Sequence, residues 1–195
     1  MYILNAWTMT DEVQKTGIII LNGGIILYPT DTIWGIGCDA TNPDAVQKIF
    51  QIKKRPDQKS MLVLMNHPSM LSGYMEHIPA SALDIIQSTR KPTTIIYPNA
   101  KNIAPNLLSE DGSIGIRITS DPFCQQLIEQ TGKPIVSTSA NISGNFSPAS
   151  YRDIDKAVTN HVDYVVEWRR EEIIHSTPST IIKLDDEDGI SILRP

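Results

Sequence analysis

Short continuous apolar runs alternate along this chain with segments that carry helix caps and a helical apolar period, and this alternation restricts the fold more than any other feature. Ile25 to Tyr28 is such a run, as a strand buried on both faces requires, and Pro29 ends it. Before it, Thr10 is the expected cap of a helix with Asp11 and Glu12 in its first turn. Val13, Gly17, Ile20 and Leu21 would share one face, and Gly23-Gly24 would stop it. After it, Asn42 caps and Pro43 opens a helix whose buried side is Ala45, Val46, Ile49, Phe50 and Ile52, ending near Lys54. The same reading gives strands at Met61 to Met65, Thr94 to Tyr97, Ile114 to Ile118, Ile135 to Thr138, Tyr164 to Glu167, Thr180 to Leu184 and Ile190 to Leu193. Helices are expected from Ala80 to Ser88, from Pro122 to near Gly132, and from Tyr151 to Asn160. The hairpin-like spacing around Asp185 to Gly189 makes the sheet mixed, so the fold class is α/β with helices flanking a mixed sheet.

A chain of 195 residues with 41% hydrophobic content suits one core, and one domain over residues 1–195 is expected. The net charge of −5 argues against coating long nucleic acid through bulk charge, while a local basic groove stays open. Cys38 and Cys124 lie far apart with no metal-type spacing, which excludes a disulfide framework and a structural zinc site. No apolar stretch approaches the ~18 residues of a membrane span, so a soluble, cytoplasmic protein is expected. Asn99 to Gly112 and Trp168 to Pro178 read as long loops, either binding segments or plain surface excursions.

Four of the 17 cations fall within Lys53-Lys54-Arg55-Pro56-Asp57-Gln58-Lys59. Cations complement a helix C-terminus, and they equally suit an anion site in which Pro56 stiffens a loop carrying Arg55 and Lys59. Ser137-Thr138-Ser139-Ala140-Asn141-Ile142-Ser143-Gly144 follows an expected strand with hydroxyls, amides and a flexible stop, which fits phosphate, carboxylate or ribose oxygens and also an ordinary turn. Gly35, Gly37 and Ala40 match dinucleotide-binding spacing, but the following helix starts only after Ala40, so that reading fails, and no P-loop element occurs. Thr30, Asp31 and Thr32 instead stand at the end of a buried strand, where open α/β sheets place ligands. Arg117, in a strand among apolar neighbours, must pair with an acid or meet a ligand carboxylate. Arg194 carries the same ambiguity at the chain end. No nucleophile elbow occurs, and His67, His77, His161 and His175 read as surface residues.

The segments YPTDTIWGIGCDA (Tyr28 to Ala40), KKRPDQKSMLVL (Lys53 to Leu64), GIRI (Gly115 to Ile118), PIVSTSANISG (Pro134 to Gly144), STII (Ser179 to Ile182) and LRP (Leu193 to Pro195) stand in one order. In that order the chain resembles the YrdC-type L-threonylcarbamoyladenylate synthases, in their short single-domain form, over nearly its whole length. The pairing of Lys53 and Arg55 with Ser139 and Asn141 is specific in combination.

The resemblance implies a twisted mixed sheet with a concave, positively charged cavity. It implies that L-threonine, bicarbonate and ATP, with Mg²⁺ on the triphosphate, give threonylcarbamoyl-AMP and pyrophosphate, and that downstream machinery transfers the threonylcarbamoyl group to an adenosine of tRNA. By matching motifs, Thr32, Arg117, Ser139 and Ser179 would hold threonine. Arg55, Lys59, Ser113, Ser137, Ser147 and Arg194 would hold ATP, and Lys53, Arg55, Ser139 and Asn141 would form the catalytic wall. No carboxylate cluster suggests a protein-built metal cage. Two other readings remain: a double-stranded RNA-binding, ribosome-maturation or translation factor using the same groove, and a nucleotide-binding domain that handles carbamoyl groups on another amine.

Overall fold

Side chains satisfy the first free N–H groups of several of the helices. The computed structural model describes residues 8–54, 61–173, 178–185 and 188–195. Helix α1 (Met9–Leu21) is capped by Thr8 and not by Thr10, because only Thr8 has an acceptor three residues on that closes a reciprocal capping box, namely Asp11. Val13, Gly17 and Ile20 are buried as expected, whereas Leu21 is exposed, since one residue past Ile20 turns it off the buried face. Asn42 caps α2 (Pro43–Lys53), and Asp121 caps α5 (Pro122–Thr131). Short α3 (Leu71–Tyr74) and α4 (Ala80–Ser88) lie between them in sequence. The helix expected from Tyr151 to Asn160 is broken into a 3-10 turn, Tyr151–Asp153, and α6 (Lys156–Thr159). Asp153 closes a box with Ser150, Asp155 accepts from Ala157 N, and Ile154 between them is extended. These local side-chain bonds outcompete a continuous helix.

The strands are β1 (Ile26–Tyr28), β2 (Gly35–Gly37), β3 (Leu62–Met65), β4 (Thr93–Tyr97), β5 (Ile114–Ile118), β6 (Ile135–Ser139), β7 (Tyr164–Val165), β8 (Thr180–Leu184) and β9 (Ile190–Arg194). They form one mixed sheet in the order β7-β1-β2-β6-β3-β5-β4-β8-β9. The pairs β1–β7, β3–β5 and β4–β8 are parallel and the other neighbours antiparallel. Strand β2 was not expected, since glycines at both ends hide its period. Its glycines are there for contact: a Cβ on Gly37 would lie 2.5 Å from Val136 O and 2.7 Å from Tyr28 Cε1. The Tyr28 ring crosses Gly37 and donates its hydroxyl to Val136 O at 3.1 Å.

The two faces of the sheet are covered unequally. On one face Leu27, Ile36, Val63, Met65, Ile95, Tyr97, Ile116, Val136, Ile182 and Leu184 pack under α2 and α4, joined by Ile103, Ala104 and Leu107. The loop from Asn99 to Gly112 thus sends Ile103, Ala104 and Leu107 into the core and leaves its other residues half-buried or exposed, with a 3-10 turn at Pro105–Leu107. On the other face Ile26, Tyr28, Leu64 and Ile135 meet Val13 and Ile20 of α1 and Phe123, Leu127 and Ile128 of α5. Among the described residues no helix covers this second face over β5, β4, β8 and β9, and the concave site lies there.

Gly37→Ala is expected to destabilise the protein by about 1–3 kcal/mol through overpacking against a backbone oxygen and the Tyr28 ring. A lowered urea midpoint at unchanged slope checks it.

Candidate active site

Alternation along the strands decides which side chains line the site. Thr94 and Ile96 of β4, Gly115 and Arg117 of β5, Ser137 and Ser139 of β6, and Ile181 and Lys183 of β8 all face the uncovered side. Two adjoining cavities result. The larger, about 780 Å³, is lined by Thr94, Ser109, Glu110, Asp111, Ser113, Gly115 and Lys183. The smaller, about 520 Å³, is lined by Thr30, Thr32, Gly35, Arg117, Ser147, Pro148 and Ala149. Leu62, Ser137, Thr138, Ser139, Ser179 and Arg194 border both, forming a seam of hydroxyls between the compartments.

In the smaller compartment Arg117 Nη2 lies 2.8 Å from Asp31 Oδ1, the two side chains being 3% and 9% exposed. The same nitrogen is 3.5 Å from Thr32 Oγ1, which in turn is 3.1 Å from Thr30 Oγ1. Burial raises the pKa of the Asp31 carboxyl, and the Arg117 guanidinium opposes that rise. Arg117 Nε is buried with no hydrogen-bond partner among the described residues, an unused donor suited to a carboxylate. Thus Arg117 has a structural acid partner and also faces the cavity, which joins the two alternatives open from sequence.

At the seam, Ser179 Oγ is 3.1 Å from Thr94 Oγ1 and accepts from Arg194 Nη2 at 3.2 Å, while Arg194 Nε donates to Ser179 O at 2.9 Å. The chain-end arginine is thereby held in the wall. Ser139 donates to Asn141 Oδ1, and Asn141 Nδ2 donates to Asn145 O. Lys53 is buried behind this wall. Its ammonium donates to Ser139 O at 2.6 Å and Asn141 O at 2.8 Å, and Ser143 N donates to Lys53 O at 2.9 Å. Lys53 and Asn141 therefore pin the loop after β6 to the end of α2, and Ser139 presents the polar surface. In the larger compartment Ser113 Oγ donates to Asp111 Oδ1 at 2.6 Å, and Lys183 Nζ lies 2.9 Å from Asp111 Oδ2. The Ser113 hydroxyl and the Lys183 ammonium hold the Asp111 carboxyl well below the ordinary range.

Residues 18–195 match the family model Sua5_yciO_yrdC, described as telomere recombination. The chain belongs to the Sua5/YciO/YrdC family. It is 32% identical over 160 residues to the threonylcarbamoyl-AMP synthase of Photobacterium profundum, covering 80% of this chain and 86% of that relative. It is 37% identical over 173 residues to a putative threonylcarbamoyl-AMP synthase of Methanocaldococcus jannaschii, covering 89% and 80%. Among solved structures, E. coli YciO superposes with a TM-score of 0.81 at 27% identity, over 96% of this chain and 89% of that one. Sua5 of P. abyssi complexed with L-threonine has the same fold, with a TM-score of 0.86 at 24% identity. That match covers 96% of this chain, which spans 54% of the Sua5 chain.

Of the residues singled out from sequence, Thr32, Arg117, Ser113, Ser137, Ser139, Ser147, Ser179 and Arg194 line the two compartments, and Lys53 and Asn141 stand directly behind. Arg55 and Lys59 lie outside the described residues. The described lining carries Lys183 and Arg194 with Glu110 and Asp111 in the larger compartment, and Arg117 and Arg194 in the smaller. Lys183, Asp111, Glu110 and Thr94 were missed. A single lysine inside the apolar strand TIIKL was the available sign for Lys183, and the Asp-Gly-Ser turn for Asp111.

Asp31→Ala is expected to cost about 3–5 kcal/mol, because it leaves Arg117 as an unpaired buried charge. Adding Arg117→Met should recover most of the loss, measured by chemical denaturation of both variants.

Proposed function

We propose that this protein is a cytoplasmic nucleotidyltransferase, an L-threonylcarbamoyladenylate synthase. It would convert L-threonine, bicarbonate and ATP to threonylcarbamoyl-AMP and pyrophosphate, for transfer by other enzymes to an adenosine of tRNA. Support comes from its family, from relatives that bear this name, and above all from two compartments that share one seam of hydroxyls. The reaction needs two anions brought face to face, and a site of that shape is suited to it.

The threonine carboxylate would take the unused donor of Arg117, with Thr32, Ser139 and Ser179 around the rest of the amino acid. Threonine's neutral amine combines with bicarbonate, losing water, to give an N-carboxylate. One oxygen of that carboxylate then attacks the α-phosphorus of ATP, and the bond to the β-phosphate breaks to release pyrophosphate. Ser113, Ser137, Ser147 and Arg194 would hold the nucleotide, together with Arg55 and Lys59. In this reading the nucleotide would lie in the larger cavity against Ser113, and the new bond would form at the seam of Ser137, Ser139 and Arg194. No protein nucleophile is required. Alignment of bound reactants alone can supply about 7–11 kcal/mol of the barrier, and fixed donors at the seam add electrostatic stabilisation. Glu110 and Asp111 are the carboxylates at the rim, and Asp111 is already engaged, a donor set that fits Mg²⁺ arriving on the nucleotide phosphates. Bound there, Mg²⁺ would neutralise phosphate charge. Among the described residues no helix is long and apolar enough to cross a membrane.

The test is pyrophosphate release by purified protein with ATP-Mg, bicarbonate and L-threonine, each omitted in turn. Release should require all three, and Ser139→Ala should lower kcat/KM about 10- to 100-fold, or ~1.4–2.7 kcal/mol. Retention of double-stranded RNA without turnover would replace this reading with the binding one, and turnover indifferent to threonine would point to another amine.

A further inference from the structure

We propose that Lys183 is a ligand for the terminal phosphates of the nucleotide, and that Asp111 is an internal anion holding its place until the nucleotide arrives. This rests on the synthase reading for the identity of the ligand, but its geometry is independent of it. Lys183 is the one cation of TIIKL, with Ile182 and Leu184 turned to the opposite, buried face, so its side chain stands over the larger cavity. Its ammonium meets Asp111 Oδ2 at 2.9 Å, while Asp111 Oδ1 takes the Ser113 hydroxyl at 2.6 Å and the Ser113 N–H at 3.1 Å. An ammonium, a hydroxyl and a backbone N–H converging on one pair of oxygens form an anion cradle. Here the protein's own carboxylate fills it.

Three features make the occupant exchangeable. The Lys183 and Asp111 side chains are 43% and 53% exposed, and ion pairs of such exposure contribute little. Burial therefore does not lock them together, unlike Arg117 and Asp31. Ser113 borders the same cavity, so a phosphate reaching it comes within range of both donors. A terminal phosphate also brings more charge and more acceptor oxygens than one carboxylate. The cradle's own stabilisation of the ionised Asp111, seen in its depressed pKa, is what an incoming phosphate would inherit.

The experiment is calorimetric titration of the full chain with MgATP and, separately, with AMP, which lacks the terminal phosphates. Lys183→Gln should weaken MgATP binding about tenfold, the loss of one charge-assisted contact, and leave AMP within about twofold. Lys183→Arg should retain most of the wild-type affinity. Asp111→Asn, which removes the competitor, should tighten MgATP about threefold or more with AMP unchanged. Unchanged MgATP binding in Lys183→Gln, or an equal loss of AMP, overturns the proposal. Weaker MgATP binding in an Asp111→Asn protein of wild-type melting temperature also overturns it. Should Asp111→Asn lower the melting temperature, the two Lys183 variants decide alone. A wild-type protein that binds ATP but releases no threonine-dependent pyrophosphate would fail the synthase reading while leaving the ATP-over-AMP difference in Lys183→Gln to stand or fall separately.

Discussion

Helices α1 and α5 cover their side of the sheet only as far as β3, and the site exists because they stop there. Up to that point the face is filled by Ile26, Tyr28, Leu64 and Ile135. Beyond it the same pleat positions carry Thr94, Gly115, Arg117 and Lys183, joined at the edge of the covered half by Ser137 and Ser139 at the end of β6. The opposite face is apolar under β5, β4 and β8, so each of these strands keeps a buried side that fixes its register, whereas β9 is exposed along its length. A polar cavity can thus be built on strands without weakening the sheet that carries it. Gly115 belongs to the same scheme: with no side chain there, Thr94 and Leu62 border open space in the cavity floor.

Rigid strands do not by themselves fix the loop that follows β6, and Lys53 does that work. A buried ammonium costs several kcal/mol to desolvate, and among the described residues Lys53 is surrounded by carbonyl and amide oxygens of Ser139 and Asn141. The bonds to the two backbone oxygens are short, at 2.6 and 2.8 Å, and come from one atom, so the carbonyls of Ser139 and Asn141 are held to a single point at the end of α2. That arrangement costs stability and yields geometry. It sets the direction of the Ser139 hydroxyl at the seam where both compartments meet, which a solvent-exposed loop of serine and asparagine could not do.

Much of the framework was legible in the sequence because strands buried on both faces read as plain apolar runs and helices announce their caps. Ile114–Ile118, Ala80–Ser88 and Thr180–Leu184 needed no adjustment. Failures came where local hydrogen bonds or glycine overrode the period: β2, whose glycines serve contact with Tyr28 and Val136, and Tyr151 to Asn160, where Asp153 and Asp155 close separate turns. The serines, Thr32, Arg117 and Arg194 of the site were reached through motifs. Their partners were not, because Asp31 with Arg117 and Asp111 with Lys183 are joined by side-chain contacts between loop and strand that no spacing along the chain reveals.

Those pairings also explain how an acidic protein keeps cations in a cavity. Isolated cations in a cavity would attract any passing anion and strain the empty fold, so each is given an internal partner. Arg117 has Asp31, Lys183 has Asp111, and Arg194 has the oxygens of Ser179. The partners differ in permanence. With 3% and 9% exposure, Arg117 and Asp31 cannot separate without stranding a buried charge, so Asp31 stays and directs the remaining donor of Arg117. Lys183 and Asp111 meet at the rim, where water can take either charge at little cost. Under the proposed reaction, a site assembled in this way would be fixed where a small amino acid is oriented and exchangeable where a polyphosphate enters and leaves.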